Sequence, residues 1–145
     1  MYEELKLSNQ LCFRLYTASR LLTQSYRPLL EPLGLTYPQY IVMMVLWEQD
    51  NLLVGDICKR LMLDTNTLTP LLKRMEQQGL VIRTKGIADG RQTLVSLTKK
   101  GHQLEHAAKD VPRCLTAEWQ QTSFDQKQFA NFVTMLDSLI NMMKQ

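Results

Sequence analysis

The sequence lacks most of the residue patterns that mark an enzyme. It contains two histidines, no glycine-rich phosphate-binding loop, and no convincing set of serine, histidine and aspartate for nucleophilic catalysis. The segment His102–His106 does match the His-x-x-Glu-His arrangement of some zinc peptidases. Such a site needs a further ligand and a substrate cleft, and the sequence suggests neither, so a solvated helix is the better interpretation. We therefore predict that the protein is not an enzyme and binds no cofactor.

Long hydrophobic runs and a secretion signal are also missing. The longest apolar run, Ile41–Trp47, is far shorter than the ~20 residues that a membrane-spanning helix needs. Residues Met1–Gln10 carry acidic and basic side chains and have no apolar core. These absences predict a cytoplasmic protein with no membrane partner. Its three cysteines are then expected to be reduced thiols rather than a disulfide framework.

The net charge is small, but the positive charge is concentrated in one segment. A formal charge of +3 over 145 residues does not by itself indicate nucleic-acid binding. Between residues 73 and 100, however, only Glu76 and Asp89 oppose a basic set made of Lys73, Arg74, Arg83, Lys85, Arg91, Lys99 and Lys100. A local excess of this kind suits a surface that faces phosphates. A solvated basic face is the alternative interpretation.

Residues Gly55–Gly79 have the pattern of a helix-turn-helix. Asp56–Leu61 is a short first helix, and Asp64 or Thr65 caps a second helix that Gly79 ends. The inward face of the second helix is apolar and consists of Leu68, Leu71, Leu72 and Met75. Pro70 should either kink this helix or delay its regular part to about Thr67. Cys58 lies where the two helices would cross, so we interpret it as a small packing residue.

A basic hairpin follows the two helices. Leu80–Thr84 and Gln92–Leu97 alternate as paired strands should, and the loop Gly86–Arg91 connects them. An arginine at the end of a narrow loop can enter the minor groove of DNA, where the negative potential is enhanced. Asp89 could hold the Arg91 side chain in position through a charge-assisted hydrogen bond. Two helices followed by such a wing are typical of proteins that bind double-stranded DNA.

The rest of the chain is predicted to be helical. The expected helices are one over about Glu3–Leu30 closed by Pro28 and Pro32, one opened by the capping box Thr36–Gln39, one from Lys99 to about Pro112 capped by Thr98, and one opened by the capping box Ser123–Gln126. The predicted fold class is mainly α with a small β-hairpin wing. We expect one domain over residues 1–145, with a winged helix-turn-helix at about 37–98 and dimerisation helices at 1–34 and 99–145.

The terminal helices carry more apolar surface than a small core can cover. The last helix has a broad apolar stripe formed by Phe129, Phe132, Val133, Leu136, Leu139, Ile140 and Met143. This surplus favours a homodimer, and two-fold symmetry also suits a pseudo-palindromic operator. In the alternative arrangement the terminal helices pack on each other within one subunit.

The expected DNA contacts lie on the second helix and the wing. Side chains near the start of that helix can reach base edges or phosphates, while the basic residues further along suit backbone phosphates or guanine. The candidate DNA-binding residues are Thr65, Asn66, Thr67, Thr69, Lys73, Arg74, Lys85, Asp89 and Arg91.

Three segments together resemble the MarR family (multiple antibiotic resistance regulators): residues 33–40, 63–76 and Asp89–Arg91. Residues Leu11–Tyr16 resemble the branch of that family that senses organic hydroperoxides. The resemblance covers nearly the whole chain. It implies a dimeric winged helix-turn-helix repressor whose N-terminal cysteine, here Cys12, is oxidised by peroxide.

The resemblance also implies that two tyrosine hydroxyls contact the thiolate, and Tyr26 and Tyr37 match those positions. Hydrogen bonds to a thiolate lower its pKa and so favour its reactive form. Without the resemblance, a lone cysteine such as Cys12 on an amphipathic helix is more often a small core residue. Cys12 and Tyr26 are fourteen residues apart on one helix, which is roughly 21 Å. Tyr26 can therefore contact only the Cys12 of an antiparallel partner.

The fate of the oxidised thiol is left open by the sequence. The sulfenic acid formed at Cys12 would condense either with Cys114 of the partner, a candidate resolving thiol, or with a low-molecular-weight thiol.

Two other functions remain as alternatives. One is a repressor released by a small aromatic ligand lodged between the terminal helices and the DNA-binding part. The other, less favoured, is a thiol peroxidase using Cys12, for which the sequence shows no arginine-lined peroxide pocket.

Overall fold

The structure is mainly helical and contains one small antiparallel sheet, which confirms the predicted fold class. It is a computed structural model that describes residues 1–117 and 119–144. These residues fall into two compact units, Met1–Lys109 and Asp110–Gln145. The elements in chain order are α1 (Leu11–Leu30), α2 (Tyr37–Glu48), β1 (Leu52–Leu53), α3 (Val54–Leu61), α4 (Thr65–Gln77), β2 (Val81–Lys85), β3 (Thr93–Leu97), α5 (Lys99–Ala108), α6 (Val111–Thr116) and α7 (Gln126–Met143).

The sheet has the strand order β1-β3-β2, and both pairings are antiparallel. Strands β2 and β3 form the predicted hairpin, in which Val81 pairs with Leu97 and Lys85 pairs with Thr93. The short strand β1, Leu52–Leu53, pairs with β3. The sheet therefore ties the wing to the chain that enters α3.

Helix α2 lies at the centre of the first unit, as its apolar run predicted. Val42, Met43 and Leu46 on this helix are fully buried, and the core also contains Ile57, Leu68, Leu72, Met75, Val81 and Val95. The predicted capping box is confirmed, because Thr36 Oγ1 accepts from the Gln39 N–H and Gln39 Oε1 accepts from the Thr36 N–H. Two reciprocal cap bonds give α2 a fixed starting point.

Helix α4 is bounded as the sequence indicated. The Asp64 carboxylate caps it by accepting from the Thr67 N–H at 3.0 Å, and Gly79 follows with φ 75°, a conformation that favours glycine. The helix runs through Pro70 and begins at Thr65, so its regular part is not delayed to Thr67. Pro70 lacks the N–H that would bond to the Asn66 carbonyl, and the remaining helix bonds tolerate this loss.

The expected extent of the first helix was wrong at its start. The chain makes two 3₁₀ turns at Glu3–Leu5 and Leu7–Asn9, and α1 begins only at Leu11. Side chains take the carbonyls that a continuous helix would use: Asn9 Nδ2 donates to the Glu3 carbonyl at 2.7 Å, and Gln10 Nε2 donates to the Glu4 carbonyl at 2.6 Å. Competition of this kind favours turns over helix.

Two other predicted boundaries also differ. The helix from Lys99 ends at Ala108 rather than near Pro112, because Pro112 has no N–H to donate to the Ala108 carbonyl. A separate helix, α6, then follows. The last helix is capped by Asp125, which accepts from the Gln128 N–H at 3.0 Å, so the capping box at Ser123 was wrong. A carboxylate at this position also interacts favourably with the helix dipole.

Pro28 does not close the first helix, which continues for two residues to Leu30. A 3₁₀ turn that contains Pro32 and the left-handed residue Gly34 then leads to α2. Among the described residues no individual helix has the length and apolarity to cross a membrane; the bent pair Leu11–Leu33 and Tyr37–Glu48, at 69°, meets that criterion when taken together.

We expect Gly101→Ala to lower the free energy of unfolding by about 1–3 kcal/mol. A Cβ at Gly101 would lie 2.3 Å from the Leu80 carbonyl oxygen, a backbone atom that cannot easily yield. Urea unfolding at matched protein concentration measures the change. Gly55→Ala is the control, because nothing lies within 4 Å of its Cβ. An unchanged urea midpoint for Gly101→Ala would contradict this packing.

Candidate functional site

Helix α4 has one buried face and one polar, exposed face. Its four predicted inward side chains, Leu68, Leu71, Leu72 and Met75, are all buried. Its predicted DNA-facing side chains are all exposed: Thr65, Asn66, Thr67, Thr69, Lys73 and Arg74. Cys58 of α3 is buried against the start of α4, with its Sγ 3.9 Å from Thr65 Oγ1, consistent with a packing role. The helix therefore presents hydroxyl, amide and basic groups on a rigid support.

The wing loop holds Arg91 in a defined orientation. Arg91 Nε and Nη2 each donate to a carboxylate oxygen of Asp89 at 3.1 Å, and the Arg91 backbone N–H donates to Asp89 Oδ1 at 3.0 Å. These bonds hold the pKa of the Asp89 carboxyl below its ordinary value. The Arg91 side chain is 91% exposed. The predicted contact between these two residues is thus confirmed, and it orients an arginine that faces solvent.

The loop itself is tightly closed. The Gly86 N–H donates to the Gln92 carbonyl at 2.8 Å, and the Gln92 N–H donates to the Asp89 carbonyl at 3.1 Å. A Cβ on residue 86 would lie 2.6 Å from the Asp89 carbonyl oxygen, so this position requires glycine. The closure projects Lys85 and Arg91 outward at the end of the hairpin, where both are exposed.

Both acidic residues of the basic segment are engaged by arginines. Glu76 accepts from the Arg83 backbone N–H at 2.9 Å and from Arg83 Nη2 at 3.3 Å, and these bonds lower the pKa of the Glu76 carboxyl. Asp89 is held by Arg91. Within the part of the chain that the structure describes, Lys73, Arg74 and Lys85 form no ion pair. Their charge is available to an external anion such as phosphate.

A concave surface of about 320 Å³ lies between α3, α4 and the wing. Its lining includes Lys59, Thr65, Thr69, Arg83, Arg91 and Thr93. Hydroxyl and basic groups from the second helix and the wing therefore share one surface, although they are separated along the chain.

The two tyrosines singled out by the sequence lie together. The ring centroids of Tyr26, near the end of α1, and Tyr37, the first residue of α2, are 4.9 Å apart. A third tyrosine, Tyr40, completes this tyrosine cluster at 5.7 Å from Tyr26 and 6.4 Å from Tyr37. The sequence analysis missed Tyr40, which lies one helical turn after Tyr37 and is almost fully buried.

Burial perturbs the acidity of the tyrosine cluster. It raises the pKa of Tyr26 to about 12, with smaller contributions from the neighbouring Tyr37 and Tyr40 hydroxyls. Burial also raises the pKa of Tyr37 and of Tyr40. The phenols are therefore protonated near neutral pH and can donate hydrogen bonds to an anion.

The sensor candidate Cys12 is exposed in the first turn of α1. Helix α1 continues without interruption from Leu11 to Leu30, so Tyr26 lies roughly 21 Å further along the same helix. The structure therefore does not bring Tyr26 to the Cys12 of its own chain. Cys114 is also exposed and lies on α6, in the second unit. Its pairing with Cys12 stays a prediction.

The short helix α3, the helix α4 with one buried and one polar exposed face, and the basic β-hairpin that follows them define a winged helix-turn-helix protein. A family model described as transcriptional regulator SarA/Rot matches residues 24–107. The chain belongs to this family of transcriptional regulators, which is of the MarR type that its sequence resembles.

Two relatives are similar over almost their full length. The organic hydroperoxide resistance transcriptional regulator of Bacillus subtilis (strain 168) is 45% identical over 139 residues, which is 95% of each chain. The structure of reduced AbfR bound to DNA, a protein of Staphylococcus epidermidis, has a TM-score of 0.79 at 38% identity and 98% coverage of each chain. Disulfide-formed AbfR has a TM-score of 0.65 at 38% identity and 95% coverage of each chain.

We expect the Tyr26 phenol to ionise only at strongly alkaline pH. Its pKa is raised to about 12, whereas the unfolded chain ionises near the ordinary value of 10.0. This difference in pKa leaves stability unchanged below about pH 10 and lowers it as the pH rises from 10 towards 12. Tyrosinate absorbance during alkaline titration measures the ionisation. Tyr26→Phe should remove the most alkaline step, and persistence of that step would contradict the assignment.

Proposed function

We propose that the protein is a DNA-binding transcriptional repressor that leaves its operator when organic hydroperoxide oxidises Cys12. The observation that carries this proposal is the tyrosine cluster, in which the ring centroids of Tyr26 and Tyr37 lie 4.9 Å apart where α1 ends and α2 begins. A pair of partly buried, protonated phenols provides donors for a thiolate. The similarity to a regulator named for organic hydroperoxide resistance supports the same chemistry.

The DNA-binding half of the proposal rests on α4 and the wing. Helix α4 would enter the major groove, where Thr65, Asn66, Thr67 and Thr69 reach base edges or phosphates. Lys73 and Arg74 would neutralise phosphates, while Lys85 and the Asp89-oriented Arg91 would reach the flanking minor groove. The existence of a DNA-bound structure of AbfR supports this mode.

The functional unit in this proposal is a homodimer bound to a pseudo-palindromic operator. The dimerisation helices would be those of residues 1–34 and 99–145, with the winged helix-turn-helix at about 37–98. Exposed apolar side chains support the assignment: Leu11 is 59% exposed on α1, and Phe132 is 42% exposed on α7. Two copies related by a two-fold axis would place two α4 helices at a fixed spacing on DNA.

The dimer also brings each Cys12 to a tyrosine cluster. Because Tyr26 lies too far along α1 to contact its own Cys12, the Tyr26 and Tyr37 hydroxyls would donate to the Cys12 thiolate of the partner. Hydrogen bonds to a thiolate favour the charged form. The sensor then belongs to the subunit interface, where a small chemical change can alter the spacing of the two DNA-binding parts.

The oxidation proceeds in two steps. The Cys12 thiolate attacks the terminal oxygen of the hydroperoxide; an S–O bond forms, the O–O bond breaks, and the organic group leaves as an alcohol after taking up a proton. The resulting sulfenic acid condenses with a second thiol to form a disulfide and water. That thiol is either Cys114 of the partner or a low-molecular-weight thiol. Either product removes the thiolate that the tyrosines hold.

Conformational change on oxidation would then release the DNA. The structure of this chain is closer to reduced, DNA-bound AbfR than to disulfide-formed AbfR, with TM-scores of 0.79 and 0.65.

The Cys12→Ser variant tests the proposed sensor. It should bind operator DNA with a Kd within about twofold of the wild type, because α4 and the wing are unchanged, but organic hydroperoxide should not release it. Fluorescence anisotropy with labelled operator measures both properties. Cys114→Ser, which removes the other exposed thiol, is measured in parallel; it keeps Cys12 and should still form the sulfenic acid there, whichever thiol reacts second. Release of Cys12→Ser by hydroperoxide as complete as that of the wild type would refute the assignment.

The Arg91→Ala variant tests the wing contact. We expect its operator Kd to rise about tenfold and the dependence of log Kd on log salt to become shallower by about one phosphate contact. Asp89→Ala should weaken binding less, because the positive charge of Arg91 remains and only the orientation of its side chain is lost. Arg113→Ala is the control: Arg113 forms a comparable exposed ion pair with Asp110, at 3.0 Å, outside the proposed DNA surface. Equal losses for Arg91→Ala and Arg113→Ala would exclude a specific wing contact.

A second candidate function is release by a small aromatic ligand. A cleft of about 300 Å³ lies next to the tyrosine cluster and is lined by Thr23, Arg27, Leu30, Leu35, Tyr37 and Pro38. Its volume is at the lower end for small-molecule sites, and it combines apolar side chains with the guanidinium of Arg27 and the carboxylate of Glu31. If a ligand releases the repressor, the wild type and the Cys12→Ser variant should both leave the operator at the same ligand concentration. This result would separate the second function from release by oxidation of Cys12.

A further inference from the structure

Two side-chain amide hydrogen bonds, made between the buried Gln39 and the exposed Gln78 and between Gln78 and the Gly34 carbonyl, connect the segment that carries Tyr37 to the end of the DNA-binding helix α4. We propose that the side chains of Gln39 and Gln78 are positioning residues that transmit the state of Tyr37 to α4. The inference rests on the proposed redox function and deepens it, because it names the route from the sensor to the DNA-binding surface.

Gln39 is fixed at the start of α2. Its Oε1 accepts from the Thr36 N–H at 3.1 Å, and its own N–H donates to Thr36 Oγ1 at 3.4 Å. Tyr37 lies between these two residues and packs on Tyr26. The Gln39 residue is 4% exposed, the only polar residue among the buried set of the described chain. A displacement of Tyr37 therefore moves the Gln39 amide with it.

Gln78 is fixed at the end of α4. It is the residue that follows the helix, and its N–H donates to the Arg74 carbonyl at 3.0 Å. Its Oε1 accepts from Gln39 Nε2 at 2.9 Å, and its Nε2 donates to the Gly34 carbonyl at 3.3 Å. One side chain thus joins α4 to both ends of the Gly34–Gln39 segment. Lys100 Nζ also donates to the Gln78 carbonyl at 2.8 Å.

These bonds can transmit a displacement in a way that the surrounding apolar contacts cannot. The apolar contacts of buried residues such as Val42 and Leu68 are non-directional, so they do not join one particular atom of the Tyr37 segment to one particular atom of α4. The Gln39–Gln78 bond is directional, and breaking it would leave a buried amide without a partner, which costs about 1–3 kcal/mol. Shifting α4 together with the Tyr37 segment avoids that cost.

The displacement would reach the part of α4 that is proposed to bind DNA. Arg74, whose carbonyl accepts from the Gln78 N–H, lies one turn before the end of the helix and is exposed beside Lys73. A displacement of the helix end therefore changes where these cations meet phosphates. A sub-ångström change at the tyrosines can then alter the fit of both α4 helices to the operator.

The test compares operator affinity before and after oxidation in the double variant Gln39→Met, Gln78→Met. Removing both partners leaves neither amide facing an absent one, and methionine is flexible enough to fill the space. Because Gln39→Met also removes the cap bond from the Thr36 N–H, the single variant Gln78→Met, which keeps the capping box, is measured beside it. We expect near-normal binding by the reduced variant and normal oxidation of Cys12, measured by mass spectrometry. The ratio of oxidised to reduced Kd should fall about tenfold relative to wild type. Gln77→Met, an exposed substitution one residue earlier, should leave the ratio unchanged.

Each other outcome overturns the proposal in a recognisable way. A double variant that keeps the wild-type Kd ratio shows that the amides transmit nothing. Equal weakening of the reduced and oxidised forms, or a lower Tm with an unchanged ratio, indicates a purely structural role. The single variant Gln78→Met gives the same readout if the double variant does not fold. If the oxidised wild type also stays on DNA, both the redox function and the proposed role of Gln39 and Gln78 are wrong. If the oxidised wild type is released normally and the variant keeps the same Kd ratio, only the proposed role of the two glutamines is wrong.

Discussion

The burial of one face of α4 is the interaction on which the rest of the structure depends. Leu68, Leu72 and Met75 are fully buried, together with Met43 and Leu46 of α2. This burial orients the opposite face of α4 outward with its hydroxyl, amide and basic groups. It also fixes the position of Gly79, from which the wing begins. Loss of these apolar contacts would remove the proposed DNA-binding surface without altering a single polar residue on it.

Around that core, a few directional bonds set the geometry of the functional groups. The Asp89 carboxylate orients Arg91, the Asp64 carboxylate starts α4, and the Thr36–Gln39 box starts α2 at Tyr37. Each bond costs little to form because the partners are at most three residues apart in the chain. The Gln39–Gln78 bond differs, because its partners are thirty-nine residues apart and it joins two of these local arrangements.

Local patterns predicted the elements well where a single physical rule dominated. Apolar periodicity identified the inward face of α4, and capping residues identified the starts of α2, α4 and α5. Predictions failed where two local interactions competed. The segment before Leu11 has helix-compatible residues, but its Asn9 and Gln10 amides bind backbone carbonyls instead. At the start of α7, spacing alone allowed either Ser123 or Asp125 to be the cap. In the structure the cap is Asp125.

The sequence by itself determined the class of the protein, because helix periodicity, capping and the basic hairpin are all encoded in short segments. It also indicated Cys12, Tyr26 and Tyr37 by resemblance, and the rise per residue of a single helix placed Tyr26 out of reach of its own Cys12. Only the tertiary structure decided that Tyr26, Tyr37 and Tyr40 form one cluster, and that Gln39 meets Gln78. The physical reason is that these contacts join different helices, and their geometry follows from how the apolar faces pack rather than from any spacing along the chain.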